Sequence, residues 1–109
     1  MDTRTFSLIR PVLIVDWLLE AGAAVSYEVP LDRAGRDVAD VVAFLKDAVY
    51  VVEVKPDLAS YQAFDQIERY VRAAMKRWRQ EQVYGFLVAA RFSPGIYPRG
   101  HVFLQRWPL

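Results

Sequence analysis

Three residues of this chain could do chemistry together: Asp40, Glu53 and Lys55. Asp40 lies in Val38-Ala39-Asp40-Val41-Val42-Ala43-Phe44, and the other two lie in Tyr50-Val51-Val52-Glu53-Val54-Lys55. The pattern is Asp-x12-Glu-x-Lys, with each acid set inside an apolar, β-branched run. Such runs read as strands. A carboxylate in the middle of a core strand is costly unless something compensates it. A divalent cation between two carboxylates would relieve their repulsion and neutralise a substrate phosphate. The carbonyl of Val54 could supply a further oxygen ligand. Lys55 could orient or deprotonate an attacking water, or stabilise charge developing at phosphorus. A structural salt bridge of Lys55 with Glu53 or Asp40 is the plainer alternative.

Composition narrows the metal. The chain has no Cys and a single His, His101, so thiolate zinc sites and multi-histidine sites are excluded. An oxygen-only donor set favours Mg²⁺ or Mn²⁺. The 109 residues suit one domain, and 54% hydrophobic content is enough to bury a core. No window holds 18 uninterrupted apolar residues, so no membrane helix is expected. The apolar stretch Pro11 to Leu19 is broken by Asp16, and it reads as a folded helix rather than a signal peptide. A cytoplasmic location is the expectation.

Charge is unevenly placed. Residues 1–57 hold ten acids and six Lys/Arg, net −4, whereas residues 58–109 hold three acids and eight Lys/Arg, net +5. An acidic half beside a basic half suits a metal site next to a phosphate-binding surface. Ordinary solubilising charge would look the same.

The elements that must position these residues follow from periodicity. A first helix is expected from about Ser7 to Ala21, capped by Ser7, with Pro11 near its first turn and Gly22 just past its end. Leu8, Val12, Val15 and Leu19 would form one stripe. Leu13 and Trp17 would form a second stripe, which Glu20 continues. A helix apolar on two sides is deeply buried or packs on a second copy, so a homodimer is expected. Strands are expected at about 24–30, 38–45 and 48–55, the last two joined as a hairpin by Lys46-Asp47. A long helix spans about Ser60 to Gln80, with a core stripe of Phe64, Ile67, Val71, Ala74 and Trp78. Two more strands are expected at about 83–90 and 101–107. The order α-β-β-β-α-β-β is an α/β fold with a mixed sheet, in which the crossover helix makes strands 3 and 4 parallel.

Asp40, Glu53-Val54-Lys55 and Gln66-x-x-x-Tyr70 together resemble the PD-(D/E)xK phosphodiesterase superfamily, the restriction-endonuclease-like fold. Its αβββαβ core matches about residues 7–90. The Arg36-x-x-Ala39-Asp40 strand followed by a hairpin ending in Glu-Val-Lys is most similar to small single-domain members, such as archaeal Holliday-junction resolvases and virus-type replication-repair nucleases. The eponymous Pro is replaced by Ala39. The resemblance implies a DNA nuclease with Asp40, Glu53 and the Val54 carbonyl as metal ligands and Lys55 catalytic. It implies a further acid on the first helix, for which Glu20 fits, with Glu28 on the first strand as competitor. The second-helix Gln matches Gln66. Tyr70, one turn on, would share its role in orienting Lys55 or a phosphate.

Arg69, Arg72, Lys76, Arg77 and Arg79 on the second helix are candidate contacts to DNA phosphates, and Arg33, Arg36, Arg91, Arg99 and His101 could extend that surface. A core this small leaves little room for sequence readout, so recognition of DNA structure or ends is expected. A binding module that keeps the fold without cutting, or an accessory subunit, is the alternative.

Overall fold

A computed structural model describes residues 13–106. They form helix α1 (Leu13–Glu20), strands β1 (Ala24–Pro30), β2 (Val38–Leu45) and β3 (Ala48–Ala59), helix α2 (Tyr61–Trp78), and strands β4 (Val83–Phe92) and β5 (Val102–Arg106). The expected order is the observed one. The proposed Ser7 cap, Pro11, and the outer residues of the first helix lie outside the described residues, as does position 107 at the expected end of the last strand.

The strands make one sheet in the order β1-β2-β3-β4-β5. β1–β2 and β2–β3 are antiparallel, and β3–β4 is parallel across the α2 crossover. β4–β5 is parallel too, without a helix between the strands. The connection instead returns along α2. The Tyr61 hydroxyl donates to the Pro94 carbonyl, Ile96 packs on the core, and Arg99 pairs with Glu68.

Helices cover both faces of the sheet, which is why its central strands read as near-continuous apolar runs. On one face α2 buries Phe64, Ile67, Val71 and Ala74 against Val42, Val51 and Leu87. On the other, Ile14, Val15 and Leu18 of α1 pack on Val41, Val52 and Val88. The expected phase of α1 is thus corrected. Trp17 and Leu19, placed in apolar stripes from spacing, are each 52% exposed. Trp17 lies edge-on to Tyr50, at 6.1 Å between ring centres, at the rim of the contact.

α2 starts where Ser60, in extended geometry, accepts a hydrogen bond from the Ala63 amide (3.4 Å). It stops at Arg79, in left-handed conformation at φ 49°, whose amide donates to the Met75 carbonyl. Gly85 of β4 lets the helix approach the sheet. A Cβ there would stand 2.7 Å from Val71 Cγ2 and 2.9 Å from Ile67 Cγ1.

β3 runs past Lys55, where the sequence pattern stops, to Ala59. Its register on β4 jumps between Lys55↔Ala89 and Leu58↔Arg91. Pro56 cannot donate to a ladder, so the strand bulges there and resumes. Among the described residues no helix is long and apolar enough to cross a membrane.

Candidate active site

The β2–β3 hairpin pairs from Leu45↔Ala48 to Val41↔Val52. The next pair in that register would be Asp40 and Glu53. There the two carboxylates take over from the backbone ladder. The Asp40 amide donates to Glu53 Oε1 at 2.8 Å, and the Val54 amide donates to Asp40 Oδ2 at 2.9 Å. Each carboxylate is thus anchored on the opposite strand. The N–H and C=O of one strand residue point to the same side, so the Val54 carbonyl projects toward Asp40 as well. β3 continues along β4 through Glu53↔Leu87 and Lys55↔Ala89.

β1 turns at the same level. The pairs Tyr27↔Val41 and Val29↔Ala39 put Glu28 across from Asp40, and Glu28 has φ 51°. Positive φ is uncommon for a residue with a Cβ. It reverses the strand's facing: Val25 packs with the α1-side cluster and Val29 with the α2-side cluster.

Glu53 is 4% exposed and is the one buried charged residue among those described. Its neighbours Val52 and Val54 face α1, so Glu53 faces α2. Burial first, and then the charge of Asp40, push its pKa up to about 8. Burial also raises Asp40, opposed by the Val54 amide and by Lys55. Lys55 Nζ stands 4.0 Å from Glu53 Oε2, with its side chain 32% exposed. A single nearby ammonium leaves the pair short of compensation.

Across from the pair, Gln66 Nε2 donates to the Tyr70 hydroxyl at 3.0 Å. Burial, and then the charge of Glu53, raise the pKa of Tyr70, so that ring stands within the field of the acids. Lys55 and Gln66 line one groove of about 390 Å³, together with Leu58, Ser60, Gln62 and Arg69. The structure therefore gathers Asp40, Glu53, Val54, Lys55, Gln66 and Tyr70 in one place.

It does not bring Glu20 there. Glu20 ends α1, exposed, four residues before Ala24, which pairs with Phe44 at the far end of β2 from Asp40. α1 also lies on the face opposite Tyr70. The competitor, Glu28, is the acid that the register sets across from Asp40.

The basic residues divide. Arg69 bridges to Asp37 (3.1 Å) and Arg99 to Glu68 (2.6 Å), each fastening a loop to α2. Arg36 reaches Asp32 at 3.9 Å. Arg77 donates to the Pro30 carbonyl and lies over the Trp78 ring. Arg72 and Lys76 form no ion pair with a described residue. The acidic partners Asp37 and Glu68 were missed from sequence, because they stand about thirty residues from the arginines they hold. Ser60 and Gln62 of the groove were missed as well, although their place in the first turn of α2 was legible.

No family model matches this sequence, and no curated protein matches it. Solved structures do. A repair endonuclease from Pyrococcus abyssi superposes with a TM-score of 0.65 and 27% identity, over 87% of this chain and 41% of that one. EndoMS in complex with double-stranded DNA superposes with a TM-score of 0.52 and 21% identity, over 75% of this chain and 36% of that one, a likeness of fold alone. The chain spans about two fifths of the length of these structures. It has the restriction-endonuclease-like fold of the PD-(D/E)xK superfamily that its motifs resemble.

Proposed function

We propose that this chain is a metal-dependent DNA endonuclease that hydrolyses phosphodiester bonds with an activated water. The observation that carries this reading is the crossed pair at the β2–β3 fork: two carboxylates held side by side by opposite strands, under-compensated, with Lys55 beside them. The fold shared with a repair endonuclease supports it, and the double-stranded DNA bound to a second structure of this fold supports the substrate class.

The residues fit a hard divalent cation. Asp40, Glu53 and the Val54 carbonyl offer oxygen donors only, and burial, which raises both carboxyl groups and is joined at Glu53 by the charge of Asp40, disfavours the ionised pair that a bound cation would stabilise. Mg²⁺ or Mn²⁺ held there would polarise the scissile phosphate. Lys55 Nζ, at the mouth of the groove, donates to the attacking water or to a phosphoryl oxygen. The Gln66–Tyr70 pair orients the phosphate from the opposite wall. The two amides at the fork hold both carboxylates in place before substrate arrives. Recognition in this reading is directed to DNA structure or ends through phosphate contacts.

A homodimer belongs to the same reading. On the α1 side of the sheet Trp17, Tyr50, Tyr84, Phe86 and Phe103 line an uncharged groove of about 470 Å³. Phe86 and Phe103 stack across strands at 5.3 Å, so ring edges rather than faces point outward. That surface suits another apolar face better than a phosphate backbone.

The test is cleavage of branched, single-stranded and duplex DNA with Mg²⁺ or Mn²⁺. Asp40→Ala and Lys55→Ala should each lose activity by about 10²-fold or more. Binding without metal-dependent cutting of any substrate would overturn the enzyme reading in favour of a non-cleaving DNA-binding module.

A further inference from the structure

A third groove, about 940 Å³, opens between the β1–β2 connection and the last turns of α2. Arg33 lines it from the connection, and Lys76, Arg77 and Arg79 line it from the helix end. The acid on its wall, Asp32, is already engaged: its carboxylate accepts from the Arg36 amide at 2.8 Å and stands 3.9 Å from the Arg36 guanidinium. Arg33, Lys76 and Arg79 form no ion pair with a described residue. Cations in the last turn of a helix complement its dipole, which would account for Lys76, Arg77 and Arg79 alone. It does not account for Arg33, which comes from another element and faces the same space. Four cations around one groove repel each other unless an anion lies between them.

The groove lies along the same edge of α2 as the groove of the candidate active site. Gln66, Arg69, Ala73 and Lys76 recur at spacings of three, four and three, one edge of α2. Gln66 and Arg69 line the groove of Lys55, and Ala73 and Lys76 line the basic one. The Asp37–Arg69 bridge stands between the two grooves. Ten residues of helix separate Gln66 from Lys76, about 15 Å. Phosphates on one strand of a duplex advance about 3.4 Å each along the axis, so a duplex lying along α2 would set about four nucleotides over this span.

We propose that the groove of Arg33, Lys76, Arg77 and Arg79 is a phosphate-binding track that grips the nucleic-acid backbone about four nucleotides to one side of the cleavage point. The proposal rests on the nuclease reading of the Asp40–Glu53 site. It gathers Arg33 and Arg79 with Lys76 and Arg77 into one track, and it makes affinity depend on the length of substrate on one side only.

The experiment measures DNA affinity against salt for the wild type, an Arg33→Ala/Lys76→Ala double variant and Lys46→Ala on the β2–β3 turn, with duplexes shortened from each end in turn. The double variant should bind long duplex about ten-fold more weakly, with a log–log salt slope smaller by about two. It should match the wild type on duplexes too short to reach the groove, and Lys46→Ala should match throughout. Arg79→Ala is a second variant with the expected smaller loss, and thermal melts confirm that each variant folds. Wild-type affinity and slope for the double variant on long duplex would overturn the track even if the protein cuts DNA. Groove-dependent binding without cutting would keep the track and overturn the nuclease reading.

Discussion

Glu53 is buried beside Asp40, and both carboxyl groups are raised by that burial. A carboxyl whose pKa is higher folded than unfolded keeps its proton longer in the folded state, so its contribution to stability is complete below the unfolded value. It fades as pH rises toward the folded value. For Glu53 that window runs from the ordinary glutamate range up to about 8. In metal-free protein the stability of the wild type relative to Glu53→Gln should therefore fall between about pH 4.5 and pH 8, by roughly 2–4 kcal/mol. Urea titrations of both proteins with chelator across this range check it, and a pH-independent difference would contradict it. A divalent cation must displace that proton. Mn²⁺ should thus raise the melting temperature of the wild type more at pH 8 than at pH 6, and not that of Asp40→Ala. Calorimetry reads this without any substrate. At this scale the sequence was largely legible. Asp40, Glu53 and Lys55 announced themselves as charges inside apolar strands, and Gln66 and Tyr70 as one helix face. The exchange of amides and carboxylates between Asp40, Glu53 and Val54 was not legible, since it depends on where a strand pair stops.

Among the elements, α2 ties the site to the rest of the sheet. Its buried stripe sits on Gly85, and its outer edge carries the polar groove residues and the cations. Gly85→Ala should destabilise the fold by roughly 1–3 kcal/mol, because its Cβ would meet Val71 Cγ2 at 2.7 Å. Adding Val71→Ala should recover part of that loss, and chemical denaturation of the single and double variants decides it. Arg69 and Arg99, expected on the DNA surface, are held by Asp37 and Glu68. Exposed pairs of this kind contribute less than about 1 kcal/mol. Arg99→Ala should accordingly reduce DNA affinity less than Lys76→Ala, which has no ion pair to give up. Equal losses would show that Arg99 leaves Glu68 to meet DNA. Helix α1 was the element least well read: its apolar residues are too many for spacing to tell which side meets the sheet.

For the whole molecule, the two faces of the sheet present different surfaces. The α2 face holds the acids, the Lys55 groove and the basic groove. The α1 face leaves Trp17 and Phe103 exposed on an aromatic surface. If that surface joins two copies, Phe103→Glu should turn a dimer into a monomer in light scattering at high concentration, and a wild-type monomer would count against the contact.

The sequence by itself determined the order of elements, the mixed sheet and the acid–acid–lysine set. Those rest on alternation, helical spacing and short turns, which are local. Only the tertiary structure decided that Glu28 rather than Glu20 lies across from Asp40, that Arg69 and Arg99 pair with Asp37 and Glu68, and that Arg33 shares a groove with Lys76. Each of those is set by strand register or by packing between residues distant in the chain, where no local pattern carries the information.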